Sequence, residues 1–211
     1  PASIAGALTS LLSVNSGLEA VSVPLYNIDM DNNGALLNTN NVVRFFRHQA
    51  GLGYKSSVHE QLVDLSAPGR RLFCIDGGAL MAVEHTGYSA RVIAGKLQRN
   101  LQLMLKEIEQ GAEGEIYYGH LAECYFGLGY YERALNYALR AVQAACQPEG
   151  QQGDAYWLAL EAMEILGYGY EDKMVVVENA LPVAGEIPDF YGYKGYFLWQ
   201  QYSVKKSRFT E

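Results

Sequence analysis

The feature of this sequence that most restricts its fold is a change of pattern near residue 112. From there on, small and aromatic residues recur at the three- and four-residue spacing of α-helices. Ala122, Ala134 and Ala141 would let two neighbouring helices approach closely, and Gly129 marks the turn between them. This part of the chain is therefore predicted to begin with a helical hairpin.

The spacing of the hairpin residues resembles that of a tetratricopeptide repeat. The matching residues are Tyr118, Leu121, Ala122, Tyr125, Gly129, Tyr131, Ala134, Ala138 and Ala141. A looser second copy is predicted over residues 154–181, with Gly167 and Tyr170 at its turn, and one more helix over residues 188–202. Because an independent solenoid needs about three repeats, the array either caps the first half of the chain or presents a groove to a peptide or protein.

The first half of the chain mixes helical and strand-like patterns. Apolar spacing predicts a helix over residues 2–13, and Ser89 is a favourable N-cap for a helix that Gly111 ends. Strands are predicted at residues 18–28, 42–46, 55–65, 72–75 and 80–84, with Pro24 placing the first at a sheet edge or a bulge. The prediction is an α/β unit over residues 1–111, followed by an all-α unit over residues 112–211.

Composition narrows the function classes. The 211 residues are 49% hydrophobic and 18% charged, as in a protein with a buried core, and the net charge is −7. That charge argues against nucleic-acid binding and against adsorption to anionic lipid. No apolar run reaches transmembrane length. Cys74, Cys124 and Cys146 have no metal-type spacing, so we expect buried thiols in a reducing, cytoplasmic compartment.

Residues 29–34, DMDNNG, admit three interpretations. They match the first half of a calcium-loop signature, but the twelfth position is Asn40 instead of an acid. They also contain the D-x-D pattern of metal-dependent nucleotide-sugar enzymes. The composition most favours a simple Asx/Gly turn.

Two histidine clusters, Val58-His59-Glu60 and Glu84-His85, are the candidate functional residues. Glu60 is a candidate general base, with His59 orienting it or a substrate phosphate. His85 is a candidate ligand for a divalent metal, because neutral imidazole is a common metal ligand. The alternative interpretation is an exposed surface pair at residues 59–60 and a structural histidine at residue 85.

The segment from Arg44 to Asn100 resembles the C-terminal half of the inverting family 2 glycosyltransferases that carry tetratricopeptide repeats, a group that includes the bacteriocin S-glycosyltransferases. That family shows R-x-F-R, V-H-E and H-x-G-Y motifs, then a helix with K-x-x-R-N-L. In this sequence they read RFFR at residues 44–47, VHE at 58–60, HTGY at 85–88 and KLQRNL at 96–101, and the repeats follow directly.

The resemblance implies an enzyme that transfers a sugar from a nucleotide-diphosphate donor to an acceptor hydroxyl or thiol with inversion. Glu60, with His59, would take the acceptor proton, and His85 would hold a divalent metal, Mn or Mg. The residues implied in substrate binding are Arg44, Arg47, Tyr88 and Lys96.

In such enzymes the nucleotide-binding strands and the D-x-D motif precede a helix like that predicted at residues 2–13. We therefore expect residues 1–111 to be a partial GT-A-like domain that neither binds the metal nor acts without that preceding half. The alternative function is a non-catalytic tetratricopeptide scaffold that binds a protein partner. An enzyme should place Glu60 and His85 facing one cleft, whereas a scaffold has no reason to do so.

Overall fold

The structure is a computed structural model that describes residues 3–49, 51–58, 60–67, 69–78, 80–87, 90–112, 114–144 and 151–208. The chain divides into two compact units, Pro1–Lys96 and Leu97–Glu211. The division falls inside a helix, whereas the sequence pattern placed the change of unit at residue 111. The order of the two units follows the prediction. A mixed sheet region comes first, and a helical array comes second.

The first unit contains one helix, two sheets and the start of a second helix among its described residues. Its elements are α1 Ile4–Val14, β1 Ala20–Asp29, β2 Ala35–Phe46, β3 Leu52–Lys55, β4 Gln61–Asp64, β5 Cys74–Asp76, β6 Val83–His85 and α2 Ala90–Glu109, the last of which continues into the second unit. Helix α1 begins at Ile4, two residues after the predicted start, because the Ser3 hydroxyl caps it by accepting a hydrogen bond from the Gly6 N–H at 3.1 Å.

Strand β1 is the centre of the larger sheet. Strand β2 pairs with it in antiparallel fashion over its whole length, from Ala20 to Asp29. On the other side, β5 pairs in parallel with the first residues of β1, and β6 pairs in parallel with residues 25–27. Strand β1 is therefore not an edge strand, and its register shifts lie at Val21/Ser22 and Asn27/Ile28, so neither of the two predicted positions for Pro24, an edge or a bulge, is correct.

Pro24 is tolerated in this central strand because it falls between the β5 and β6 pairings. The Ser22 carbonyl faces the β5 side, where it accepts a hydrogen bond from the Gly77 N–H at 2.7 Å. Alternate residues of a strand direct their main-chain groups to the same side, so the N–H that proline lacks would also face that side. It would meet the gap between the two parallel strands, so no ladder hydrogen bond is lost.

Residues 29–34 form the turn that joins β1 to β2. The Asp29 carboxylate accepts a hydrogen bond from the Asp31 N–H at 2.9 Å, and a short 3₁₀ segment, Met30–Asn32, follows. Asn33 and Gly34 have φ angles of 52° and 75°, which reverse the chain. Because strands flank this turn on both sides, the Asx/Gly turn is the interpretation that the geometry supports.

A separate two-stranded sheet is formed by β3 and β4, which pair in antiparallel register from Leu52 with Asp64 to Lys55 with Gln61. The prediction of one strand over residues 55–65 was wrong, because residues 56–60 connect the two strands. Ser56 has a φ of 70°, which bends the chain away from β3. Glu60 therefore precedes a strand instead of lying within one.

One arginine ties this small sheet to the start of β1. Arg70 bonds both carboxylate oxygens of Glu19, at 2.7 and 2.9 Å, and its Nε lies 2.8 Å from an Asp64 oxygen. The hydrogen bonds from Arg70 and from the Phe73 N–H lower the pKa of Glu19 to about 2. Those from Ser66 and Arg70 lower the pKa of Asp64 to about 2.

The second unit consists of helical hairpins that follow one another along the chain. Its elements after α2 are α3 Tyr118–Gly127, α4 Tyr131–Gln143, α5 Gln151–Ile165, α6 Tyr170–Ala184 and α7 Pro188–Arg208. The helical hairpin predicted around Gly129 and the looser copy around Gly167 are both present as helices, α3 with α4 and α5 with α6.

The alanines that the sequence placed at the closest helix contacts are buried. Ala122, Ala134, Ala138 and Ala141 have no exposed surface, so helices α3 and α4 pack with little space between them. The turns also follow the prediction. At Gly129 the next N–H, of Tyr130, bonds the Tyr125 carbonyl, and the same pattern recurs at Gly111 and Gly167. All three glycines have positive φ, which this helix ending requires.

The cysteines depart in part from the expectation of buried thiols. Cys124 is buried on α3, and burial raises the pKa of its thiol to about 11. Cys74 is exposed on the short strand β5, and Cys146 lies outside the described residues. Among the helices of the described residues, none has the length and apolarity needed to cross a membrane.

Candidate functional site

The best-defined polar arrangement in the first unit surrounds His85. Strand β6 places His85 beside Asn27 of β1, and the His85 Nδ1 lies 3.0 Å from the Asn27 Oδ1. Asn27 is 1% exposed, and its side-chain nitrogen donates a hydrogen bond to the Asn38 Oδ1 on β2. The Asn27 oxygen is thereby left as the acceptor toward the imidazole, so His85 Nδ1 carries a proton.

This hydrogen bond fixes the form of the imidazole. Burial, reinforced by the nearby cations Lys96 and Arg44, lowers the pKa of His85 below its ordinary value of 6.5. At neutral pH the ring is therefore uncharged, with its proton on Nδ1 and its lone pair on Nε2. A histidine that donates one ring N–H to an amide or carbonyl oxygen is the usual arrangement for a metal ligand.

Gly87 lies against the edge of the His85 ring that carries Cε1 and Nε2. A Cβ added to Gly87 would lie 2.6 Å from His85 Cε1 and 2.7 Å from Nε2, too close for any other residue without movement of the ring. The glycine of the H-x-G-Y motif is therefore required by the orientation of His85.

Two of the four residues predicted to bind substrate lie in the electrostatic environment of His85. Arg44 is exposed on β2, at a point where the register with β1 shifts. Its neighbours Val43 and Phe45 each pair with a residue of β1, whereas Arg44 does not. Lys96 is half-buried on α2. Both cations lower the pKa of His85, so a metal ion at this position would need anionic partners, such as diphosphate oxygens, to offset their charge.

Arg47 has a structural role that the sequence interpretation missed. Its guanidinium donates hydrogen bonds to the carbonyls of Leu12 at 3.1 Å and Asn15 at 3.2 Å, at the C-terminal end of α1, and also to that of Leu18. The last carbonyls of a helix lack partners within the helix, so an arginine there satisfies them. The guanidinium is thus engaged by the protein backbone rather than directed to a ligand.

The structure does not place Glu60 and His85 in one sheet. Glu60 is exposed immediately before β4 of the two-stranded sheet, whereas His85 lies in β6 of the larger one. Two residues before Glu60, in the same loop, Val58 is buried. His59 and Tyr88 lie outside the described residues.

Asn27 is a site residue that sequence reasoning did not identify, although a signal was present. The buried positions of β1 alternate along Val21, Val23, Leu25 and Asn27. An asparagine in the last inward position of an apolar series must hydrogen-bond, because an unpaired buried amide is unfavourable. Such a residue indicates that a polar partner crosses from a neighbouring strand.

The donor atoms around His85 fit one position of a metal site. Within the part of the chain that the structure describes, no group of three or more His, Cys, Asp or Glu side chains is arranged to hold a metal ion. The unprotonated Nε2 of His85 has the chemistry of a single ligand, whose partners would be oxygens of a bound diphosphate or of other residues.

Comparison with known proteins adds no assignment. No model of a known protein family matches the chain, and no curated protein gives a significant match to it.

Proposed function

We propose that this chain is part of a glycosyltransferase that transfers a sugar from a nucleotide-diphosphate donor to an acceptor hydroxyl or thiol by an inverting displacement. The observation that carries the proposal is the arrangement at His85. A neutral imidazole with its proton on Nδ1 lies in the field of two cations, beside a glycine whose replacement would displace the ring. The type of reaction proposed, glycosyl transfer, comes from the resemblance of residues 44–100 to family 2 glycosyltransferases.

In this proposal His85 holds the diphosphate side of the reaction. A divalent cation, Mn or Mg, neutralises the charge that develops on the leaving diphosphate when it is bound. His85 Nε2 would be one of its ligands, and Arg44 and Lys96 would attract the phosphate oxygens electrostatically. Arg47 does not take part, because its guanidinium bonds the carbonyls at the end of α1.

In the same proposal, Glu60 is the general base that acts on the acceptor. Inversion requires that the acceptor lose its proton while it attacks, and a carboxylate is a suitable general base. The exposed position of Glu60 before β4 leaves it accessible to an incoming acceptor. His59 would orient Glu60, and Tyr88 would contribute to substrate binding.

For the helical unit we propose a tetratricopeptide-like class and a cytoplasmic location. Closely packed alanines and repeated glycine turns support that class. These hairpins also favour the second candidate function, a scaffold that binds a peptide or protein partner, because such arrays commonly present a binding groove. The scaffold function gives no reason for the protonation state that Asn27 imposes on His85.

The experiment is sugar-transfer kinetics in the natural gene product with two substitutions. Glu60→Gln should keep donor binding but abolish transfer, since an amide cannot accept the acceptor proton. His85→Ala should weaken metal-dependent donor binding as well as the rate. Equal and small effects of the two substitutions would contradict the proposal and support the scaffold.

A further inference from the structure

The outward face of α7 is apolar. Between residues 190 and 203, each exposed residue of the helix is aromatic, leucine or glycine. The large side chains are 47% to 64% exposed, and they are Tyr191, Tyr196, Leu198, Trp199 and Tyr202. A helix on the surface of a water-soluble array normally directs charged and polar residues outward. A contiguous apolar face of this kind indicates an interaction surface.

Two glycines lie on the same face, at Gly192 and Gly195. A Cβ added to either would meet no atom within 4 Å, so neither glycine is required by packing within the chain. Glycine weakens the interior of an exposed helix, where alanine or leucine would strengthen it. Their presence beside exposed aromatic rings gives the face shallow depressions next to large projections.

We propose that this face of α7 binds the same face of a second copy of the chain, with the two helices antiparallel about a twofold axis. With the axis between Gly195 and Tyr196, Trp199 of one copy enters the depression at Gly192 of the other. Tyr196 then lies over Gly195 of the other copy. A surface that carries both projections and depressions in this register is complementary to itself, as a twofold interface requires.

The ends of the paired helices also match. The same register places the Tyr202 hydroxyl of one copy opposite Asp189 of the other, so a phenol faces an exposed carboxylate that can accept its hydrogen bond. No like charges are brought together along the described face, because no charged residue is exposed between residues 190 and 203. Between residues 190 and 203 a charged partner would find no exposed complementary charge, since Lys194 is half-buried and Asp189 lies at the end of the face.

The area suffices for a reversible dimer. Fully buried aromatic side chains contribute about 150–250 Å² each, so the exposed parts of the four aromatic residues and the smaller Leu198 amount to roughly 400–700 Å² per copy. Two copies would bury about 800–1,400 Å², which reaches the lower end of the range for specific interfaces. We therefore expect a dimer in the micromolar range and not an obligate one.

The experiment is sedimentation equilibrium of the whole chain at increasing concentration. We expect conversion from monomer to dimer below about 200 µM. Trp199→Ala should raise the dissociation constant at least about tenfold, because exposed tryptophans at the centre of an interface carry much of its binding energy. Trp157→Ala, which removes the exposed tryptophan of α5, is the matched control and should leave the constant unchanged.

Gly195→Leu separates the interface from the fold. Leucine favours helix formation, so the monomer should keep its helical circular dichroism and its melting temperature. The added side chain would fill the depression that receives Tyr196, so the dimer should be lost. A monomeric wild-type chain at the highest concentration, an open-ended series of larger oligomers, or a Gly195→Leu chain that still dimerises with wild-type affinity would each overturn the proposal.

Discussion

Asn27 shows how one buried amide sets the chemistry of another residue. Its side-chain nitrogen donates a hydrogen bond to Asn38, so its side-chain oxygen accepts the hydrogen bond from His85. The neutral ring must then carry its proton on Nδ1. The form of His85 thus depends on a residue 58 positions away in the sequence.

We predict that nitrogen NMR of the wild-type chain finds His85 as the Nδ1-protonated tautomer at neutral pH. Its titration midpoint should lie below 6.5, because burial and the nearby Lys96 and Arg44 lower the pKa. Asn27→Ala should remove the preference for that tautomer. Asn40→Ala, at an exposed asparagine that also bonds Asn38, is the control and should leave the tautomer unchanged.

Because the pKa of His85 is lowered on folding, the stability of the folded chain depends on pH. The folded chain binds the His85 proton less tightly than the unfolded chain, so folding is favoured above pH 6.5 and this contribution is lost as the pH falls below it. An Nε2-protonated tautomer, or a midpoint above 6.5, would contradict the arrangement at Asn27.

Single-residue roles were predictable from the sequence only in part. The assignment of His85 as a metal ligand stays a prediction, whereas two other roles depend on contacts that only the fold creates. Arg47 was assigned to substrate, whereas it bonds carbonyls at the end of α1 that are 32 and 35 positions away in the sequence. Asn27 was missed because its partner, His85, approaches through a parallel pairing that no local pattern reveals.

At the scale of elements, the β3–β4 hairpin depends on one cation. Arg70 joins Asp64 at the end of β4 to Glu19 before β1. Lysine keeps the charge but cannot form the paired bonds to a carboxylate that a guanidinium forms. We predict that Arg70→Lys speeds amide hydrogen exchange in residues 52–64, whereas Arg71→Lys, at the exposed neighbouring arginine, does not.

Acid should release the same hairpin in the wild-type chain. The pKa values of Glu19 and Asp64 are lowered to about 2 from 4.5 and 3.8, so their contribution to stability is complete above those ordinary values. It is lost as the pH falls from about 4 toward 2. Exchange in residues 52–64 that stays as slow at pH 2 as at pH 6, after correction for the intrinsic rate, would contradict this role.

The α3–α4 hairpin offers a test of close packing. Ala134 has no exposed surface, so a larger side chain has no space without movement of the two helices. We predict that Ala134→Leu lowers the free energy of unfolding by about 1–3 kcal/mol. Thermal or urea unfolding measures the change, and Ala94→Leu, at an exposed position of α2, should have little effect. Equal stability of the Ala134 variant and the wild type would exclude tight hairpin packing.

Helices were predicted more accurately than strands for a physical reason. Helix periodicity, caps and the glycines at 111, 129 and 167 are local, and each of these glycines ends its helix in the structure. The strand predicted over residues 55–65 was wrong because residues 56–60 connect β3 to β4, and the sequence does not reveal the positive φ of Ser56 at which that connection begins. Pro24 was placed at an edge because the sequence does not reveal the gap between β5 and β6.

At the scale of the whole molecule, the order of the two units was predictable, since the composition changes between them. The proposed function could not be derived from composition or periodicity. It rests on the order of four short motifs and on the arrangement that one of them, H-x-G-Y, forms with Asn27. We propose that this arrangement binds the diphosphate leaving group in a glycosyl transfer.

The most direct measurement of that claim is the metal dependence of sugar transfer by the natural gene product and two histidine variants. His85→Ala should require at least about tenfold more Mn²⁺ or Mg²⁺ for half-maximal rate, because it removes a metal ligand. His120→Ala, which removes a histidine paired with Glu123 on α3, should behave like the wild type. The same metal requirement in all three proteins, at unchanged rates, would contradict the claim.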